Sequence, residues 1–218
     1  MAKRKKKHKS AGSNRSKKTN PAAKVDNELR IIGGRFRRSR LKYSGLDVTR
    51  PMKDRIRESV FNLLGKRVEG KLAIDLFAGT GALGLEAISR GSKRAIFIER
   101  HFPTVDVLKE NVAHLDIASL VEIFPSDTFY WWKQQTPEKT LPWLVFCSPP
   151  YAFFEDRRQE LMTMLAEILQ AAPEDSLMVI EADPRLSMET VPHLDDWDFR
   201  KYGAIQIGIY HKSAKKEI

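Results

Sequence analysis

The chain has 218 residues, 42% of them hydrophobic, which is enough apolar material for one domain with a true core. Its one cysteine, Cys147, excludes an intrachain disulfide and suits a reducing, cytoplasmic setting. No apolar run of about 18 residues offers a membrane span, and the Lys-rich start lacks the apolar stretch of a secretory signal.

The formal charge of +10 is concentrated at the front. Residues 1–57 hold 20 of the 38 Lys and Arg and only four acids, Asp26, Glu28, Asp47 and Asp54, whereas the remainder holds 18 bases and 24 acids. A basic front on a mildly acidic body points to a polyanionic partner, of which nucleic acid is the commonest. Residues 1–28 lack hydrophobic periodicity and are expected to form a disordered basic tail. Residues 29–68 are expected to form a basic, RNA-facing extension. In it, Ile31 and Ile32 lead through Gly33-Gly34 into a short hairpin carrying Arg35, Arg37, Arg38 and Arg40 beside Phe36. An edge sheet with solvated arginines is the alternative. Arg50-Pro51 then precedes a helix over about Asp54–Lys66, with Asp54 as its cap and Ile56, Val60, Leu63 and Leu64 as its apolar stripe. Arg50, Lys53, Arg55 and Arg57 complete the expected RNA-facing set.

Residues 69–218 alternate strand and helix. Strands are expected at Leu72–Phe77, Arg94–Glu99, Leu120–Phe124, Leu144–Cys147 and Leu177–Glu181. Between them fall helices at Ala82–Arg90, near Thr104–Leu115, after Ser126, and as one long amphipathic helix over about Glu155–Ala172. Asp198–Tyr202 and Ile205–Tyr210 close the chain with only Gly-Ala between them. The pattern predicts a Rossmann-like, doubly wound, mostly parallel seven-stranded sheet with an antiparallel edge hairpin.

Gly79-Thr80-Gly81-Ala82-Leu83-Gly84 is a G-x-G-x-x-G turn between a strand and a helix, and Glu99 lies 20 residues beyond Gly79 at the next strand end, where a carboxylate can accept ribose hydroxyls. This combination predicts a nucleoside-type cofactor. Asp75, just before the glycines, suits the cationic S-adenosylmethionine and would repel a pyrophosphate. Asp127 can accept from an adenine amine, cap the next helix, or both. At the fourth strand end, Ser148-Pro149-Pro150-Tyr151 fits the [Asn/Asp/Ser]-Pro-Pro-[Tyr/Phe] turn of enzymes that methylate exocyclic base amines. An oxygen acceptor there can bind the amine hydrogens, and the ring can stack on the base. A merely proline-stiffened loop is the plainer reading. His8, His101, His114, His193 and His211 are scattered and read as surface residues, and no metal-ligand spacing is visible.

Together these residues resemble the RsmD family of methyltransferases acting on guanine N2 of small-subunit (16S) ribosomal RNA. The resemblance covers about Arg30–Tyr210. It rests on Arg30-Ile31-Ile32-Gly33-Gly34, on Arg50-Pro51 with Asp54–Asn62, on Asp75–Ala87, and on the Pro-Pro-Tyr turn. It implies cofactor contacts from Asp75, Phe77, Gly79, Gly81, Glu99 and Asp127, and guanine contacts from Ser148 to Tyr151. Ala78, Arg100 and Thr128 adjoin these and complete the expected cofactor set. The family pattern has Asp where this chain has Ser148, and Thr-Thr where it has Met52-Lys53. A monomer acting on ribosomal RNA or the small subunit is expected. A DNA amino-methyltransferase and a catalytically weak RNA-binding homologue are the competing readings.

Overall fold

The computed structural model describes residues 29–43, 52–182 and 191–213. The expected basic tail at 1–28 and Arg50 lie outside the described residues. In chain order the elements are α1 (Asp54–Leu64), β1 (Leu72–Asp75), α2 (Ala82–Ser89), β2 (Arg94–Ile98), α3 (Phe102–His114), β3 (Val121–Phe124) and α4 (Thr128–Gln134). There follow β4 (Trp143–Cys147), α5 (Phe153–Asp156), α6 (Arg158–Ala171), β5 (Leu177–Ala182), β6 (Trp197–Tyr202) and β7 (Ile205–His211).

The strands make one seven-stranded sheet in the order β3-β2-β1-β4-β5-β7-β6. Strands β1 to β5 run parallel, and β7 is antiparallel to both β5 and β6. This is the Rossmann-like sheet with an antiparallel edge that the alternation predicts. Strands β1, β4 and β5 are buried at every position, which explains their continuous apolar runs. Alternate residues feed two apolar layers. Ala73, Phe97, Leu144, Phe146 and Val179 join α1, α2 and α3 on one face, while Ile74, Ile96, Val145 and Met178 join α4 and α6 on the other. The strand order reverses between β1 and β4, so a crevice opens at their carboxyl ends.

Helix α2 is buried along all eight residues. Such an approach to the sheet needs a small residue. A Cβ on Gly84 would lie 2.3 Å from Phe97 Cε1. Gly81, at the N-cap, has φ 89°, in the left-handed region that glycine accepts without strain.

Three local expectations are corrected. The basic hairpin is a turn closed by a single antiparallel bridge, Arg30 with Arg40, without paired strands. The amides of Ile32, Gly33 and Phe36 go instead to side chains of α2, as described next. Asp54 does not cap α1. It lies inside the first turn, and its carboxylate pairs with Arg57 (2.9 Å) and Arg30 (3.2 Å). The long helix is broken at Arg157 (φ −128°, ψ 26°) into α5 and α6. The Arg157 guanidinium reaches Asp127 Oδ2 at 2.8 Å and lies 4.0 Å from the centre of the Phe129 ring, contacts that favour a departure from helical geometry.

The segment 29–43 is fixed to α2 and α3 by side-chain acceptors. Glu86 Oε2 and Oε1 accept from Ile32 N (2.7 Å) and Gly33 N (2.8 Å), and Arg90 Nε donates to Oε1 at 2.7 Å. Ser89 Oγ accepts from Phe36 N, and Asn111 Oδ1 accepts from Lys42 N. Glu86 is wholly buried, so removing it leaves two amides and the Arg90 guanidinium without this acceptor and takes a charge from beside Arg57. Glu86→Ala is expected to lower the unfolding free energy in urea by about 3–5 kcal/mol, the usual loss when one partner of a buried charge pair is removed. A loss below about 1 kcal/mol would contradict this role for Glu86.

Candidate active site

At the carboxyl ends of β1, β2, β4 and β5 lies a cavity of about 530 Å³. Asp75, Phe77, Ala78, Gly79, Glu99, Arg100, Asp127 and Thr128 all line it, as do Ser148, Pro149, Pro150 and Tyr151. The sequence-predicted cofactor and acceptor residues therefore meet in one crevice. Gly81 shapes the turn from the N-terminus of α2 without lining the cavity.

Asp75 ends β1 and is 1% exposed. Its Oδ2 accepts from Gly84 N at 3.1 Å, which places the carboxylate at the N-terminus of α2. Oδ1 is buried and has no partner of hydrogen-bond geometry among the described residues. Burial pushes this carboxyl up to about 7; the Glu99 charge adds to the rise, and the amides of Gly84 and Phe77 oppose it. A cationic donor fits this orphan oxygen. A pyrophosphate does not fit, because the helix terminus already holds an acid.

Glu99 follows β2. Its Oε2 accepts from Gly79 N (2.9 Å) and its Oε1 from His101 N (2.8 Å), so two amides aim the carboxylate across the glycine turn. Asp127 caps α4: Oδ1 accepts from Phe129 N and Tyr130 N, and Oδ2 from Arg157. Burial works to raise its pKa, but Arg157 and the two amides outweigh it and hold the carboxyl below its ordinary value. The Thr128 hydroxyl donates to the Leu76 carbonyl and ties α4 to β1. Phe77 packs edge-on against Phe129 and Phe153, and Arg100 lies over Phe153. Cys147 is wholly buried, and burial, with the Asp75 charge, pushes its thiol up.

Across the crevice, Ser148 Oγ donates to Glu181 Oε2 at 2.5 Å, and Tyr151 Oη donates to Glu181 Oε1 at 3.1 Å. The sequence reading missed Glu181 as a site residue. The signal was present: an acid closing the apolar run Leu-Met-Val-Ile at a strand's carboxyl end. It also missed Met52, Ala204 and Ile205 as cavity walls; the last two bring the edge hairpin into the site.

Of the expected RNA-facing residues within the described residues, all but Arg57 are exposed. Lys53 is exposed and lines the cavity, and Arg55 is exposed on the first turn of α1. Arg35, Arg37, Arg38 and Arg40 are exposed on a turn held at Ser89, the last residue of α2. That point is about 12 Å of helix away from the N-terminus of α2 at the crevice. Arg57 is not on the surface. It is fully buried, and its guanidinium donates to Arg30 O (2.6 Å), Met52 O (3.2 Å) and Asp54. An i, i+3 pair with Asp54 and the nearby Glu86 turn this arginine inward. Among the described residues no cluster of His, Cys, Asp or Glu is suited to a metal ion, and no helix is long and apolar enough to cross a membrane.

A doubly wound sheet whose crevice sets an acid-capped glycine turn against a Pro-Pro-aromatic turn defines a Rossmann-like methyltransferase. Comparison with known proteins narrows this. The family model described as Conserved hypothetical protein 95 matches residues 29–211. YlbH of Bacillus subtilis strain 168 is 32% identical over 185 residues, covering 84% of this chain and 99% of that protein. Ribosomal RNA small subunit methyltransferase D of Escherichia coli strain K12 is 30% identical over 193 residues, covering 87% of this chain and 93% of that protein. The solved YhhF structure from Escherichia coli superposes with a TM-score of 0.69 at 30% identity, covering 86% of this chain and 99% of that one. The chain belongs to the RsmD family of ribosomal RNA methyltransferases.

The Asp75 carboxyl carries a pH signature. With an ordinary value of 3.8 and a folded value of about 7, it favours the folded state fully below about pH 4, and that contribution is lost as pH rises through 7. Asp75→Asn has no such proton. Between pH 4 and pH 8 the variant is expected to gain about 4 kcal/mol of unfolding free energy relative to the unliganded wild type, measured by urea titration. Parallel pH profiles would contradict the raised value.

Proposed function

We propose that this chain transfers a methyl group from S-adenosylmethionine to the exocyclic N2 amine of a guanine in small-subunit ribosomal RNA. The observation that carries the reading is the shared cavity: Asp75 and the Ser148–Tyr151 turn line the same space of about 530 Å³. When bound, S-adenosylmethionine supplies an electrophilic methyl group on a positively charged sulfur.

Asp75 Oδ1 would accept from the cofactor's ammonium, a charge-assisted bond that also satisfies a buried acceptor. Glu99 would accept from the ribose hydroxyls, and Asp127 from the adenine amine through the capacity left on Oδ2. Phe77, Ala78, Gly79, Arg100 and Thr128 would wall the cofactor in, and Gly81 would let the backbone approach it. On the acceptor side, Pro149 and Pro150 hold a rigid turn, Ser148 meets the amine, and the Tyr151 ring stacks on the unstacked base. A guanine amine is a weak nucleophile because its lone pair is delocalised into the ring. These residues contribute orientation and accepted hydrogen bonds, which account for much of the barrier reduction in such sites.

Family membership and the exposed basic residues support RNA as the acceptor. Lys53 and Arg55 would meet phosphates at the cavity mouth, and Arg35, Arg37, Arg38 and Arg40 would meet others beyond it. A DNA amino-methyltransferase is the second reading, favoured by Ser148 before the Pro-Pro pair. The test is label transfer from S-adenosylmethionine to a small-subunit ribosomal RNA transcript, to the same RNA with inosine replacing guanine, and to DNA of the same sequence. Label is expected in the guanine RNA alone, because inosine lacks the 2-amine. Label in the inosine RNA would exclude N2, and label in DNA would favour the second reading. No label with any substrate would mark a catalytically weak RNA-binding homologue.

Replacing Arg35, Arg37 and Arg38 together by Ala is expected to weaken RNA binding and to reduce the slope of log K against log salt by about 2–3, at about 0.7–0.9 per phosphate contact. The turnover at saturating RNA should stay within about twofold, given the roughly 12 Å of helix between this turn and the crevice. An unchanged slope would remove this surface from the RNA path.

A further inference from the structure

We propose that Ser148 and Glu181 act as a relay: Ser148 grips the acceptor amine, and Glu181 takes up, through Ser148, the proton that methyl transfer releases. This rests on the reading of the crevice as a base-amine methylation site. Ser148 would touch the substrate. Glu181 acts through it and is a positioning residue.

The relay follows from strand register. Strands β4 and β5 are parallel with Cys147 beside Ile180, so the next residues, Ser148 and Glu181, emerge side by side at the carboxyl edge. Both line the cavity. Glu181 is 8% exposed, and among the described residues it forms no ion pair with Lys or Arg. A carboxylate withdrawn this far from water ordinarily has a cation partner. Here two neutral hydroxyls approach it instead, Ser148 on Oε2 at 2.5 Å and Tyr151 on Oε1 at 3.1 Å. Both come from the turn expected to hold the base. The contacts therefore fix the Tyr151 ring and orient Ser148 at the same time.

The orientation decides the chemistry. A serine hydroxyl has one proton and two acceptor lone pairs. With its proton committed to Glu181, Ser148 Oγ can only accept from whatever enters the crevice. An amine that donates N–H to Oγ recovers electron density at nitrogen. As the nitrogen lone pair forms the new N–C bond, the C–S bond of the sulfonium donor breaks and its electron pair stays on sulfur. The nitrogen then releases one proton to Oγ while the Ser148 proton moves to Glu181 Oε2. Amine, sulfonium and carboxylate become methylamine, thioether and carboxylic acid, and Glu181 returns the proton to water.

The experiment compares wild type, Glu181→Gln, Ser148→Ala and the double variant Glu181→Gln/Ser148→Asp on one guanine-containing ribosomal RNA. S-adenosylhomocysteine affinity is measured by calorimetry and RNA affinity by gel shift. Glu181→Gln is expected to keep both affinities within about twofold and to lose kcat by about 10²-fold, the lower end for assistance by a positioned proton acceptor. Ser148→Ala should fall by a similar factor. The double variant restores a carboxylate beside the amine and should regain at least about tenfold over Glu181→Gln. Wild-type kcat in Glu181→Gln overturns the relay, as does a loss explained by weakened cofactor or RNA affinity, or a double variant no better than Glu181→Gln. A wild type that methylates no RNA overturns the reading of the crevice itself, and the relay with it.

Discussion

The amide of Gly84 meets Asp75 Oδ2 at 3.1 Å, and this one hydrogen bond joins the first strand to the helix that crosses it. It sets where α2 begins, because it satisfies one of the donors that a helix N-terminus leaves open. It also fills the place where a phosphate would otherwise sit. From that start α2 runs so close to the sheet that all eight residues are buried. Its own acid, Glu86, then lies where it can collect two backbone amides of the segment before α1. The cofactor side of the crevice and the anchoring of the basic turn thus depend on the same short helix.

Two carboxylates on opposite sides of the crevice are compensated differently. Asp75 is held by backbone amides with one oxygen left over, an arrangement that asks for a cation. Glu181 has both oxygens accepting from hydroxyls of the acceptor turn. Among the described residues neither forms an ion pair with a lysine or arginine.

Much of this was legible in the sequence, for identifiable reasons. Strands β1, β4 and β5 are buried on both faces and therefore read as unbroken apolar runs. Asp75 and Glu99 could be placed because strand ends and the glycine turn fix their spacing. Side chains whose roles depend on distant partners were not legible. Arg57 looks like a surface cation until Arg30 O, Met52 O and Asp54 are brought to it. The break before α6 depends on Arg157 finding Asp127, 30 residues away. Glu181 reads as the end of a strand, and only the register of β5 against β4 brings it to Ser148. The basic turn was recognised by composition, but its position at the far end of α2 came from Ser89 and Glu86.

The central claim is that the crevice methylates a guanine amine of small-subunit ribosomal RNA. Mass mapping of that RNA, from cells with and without the gene, tests it most directly. The account predicts that one N2-methylguanosine disappears on deletion and returns with the wild-type gene. An unchanged set of modified nucleotides, or a loss at any atom other than guanine N2, would contradict it.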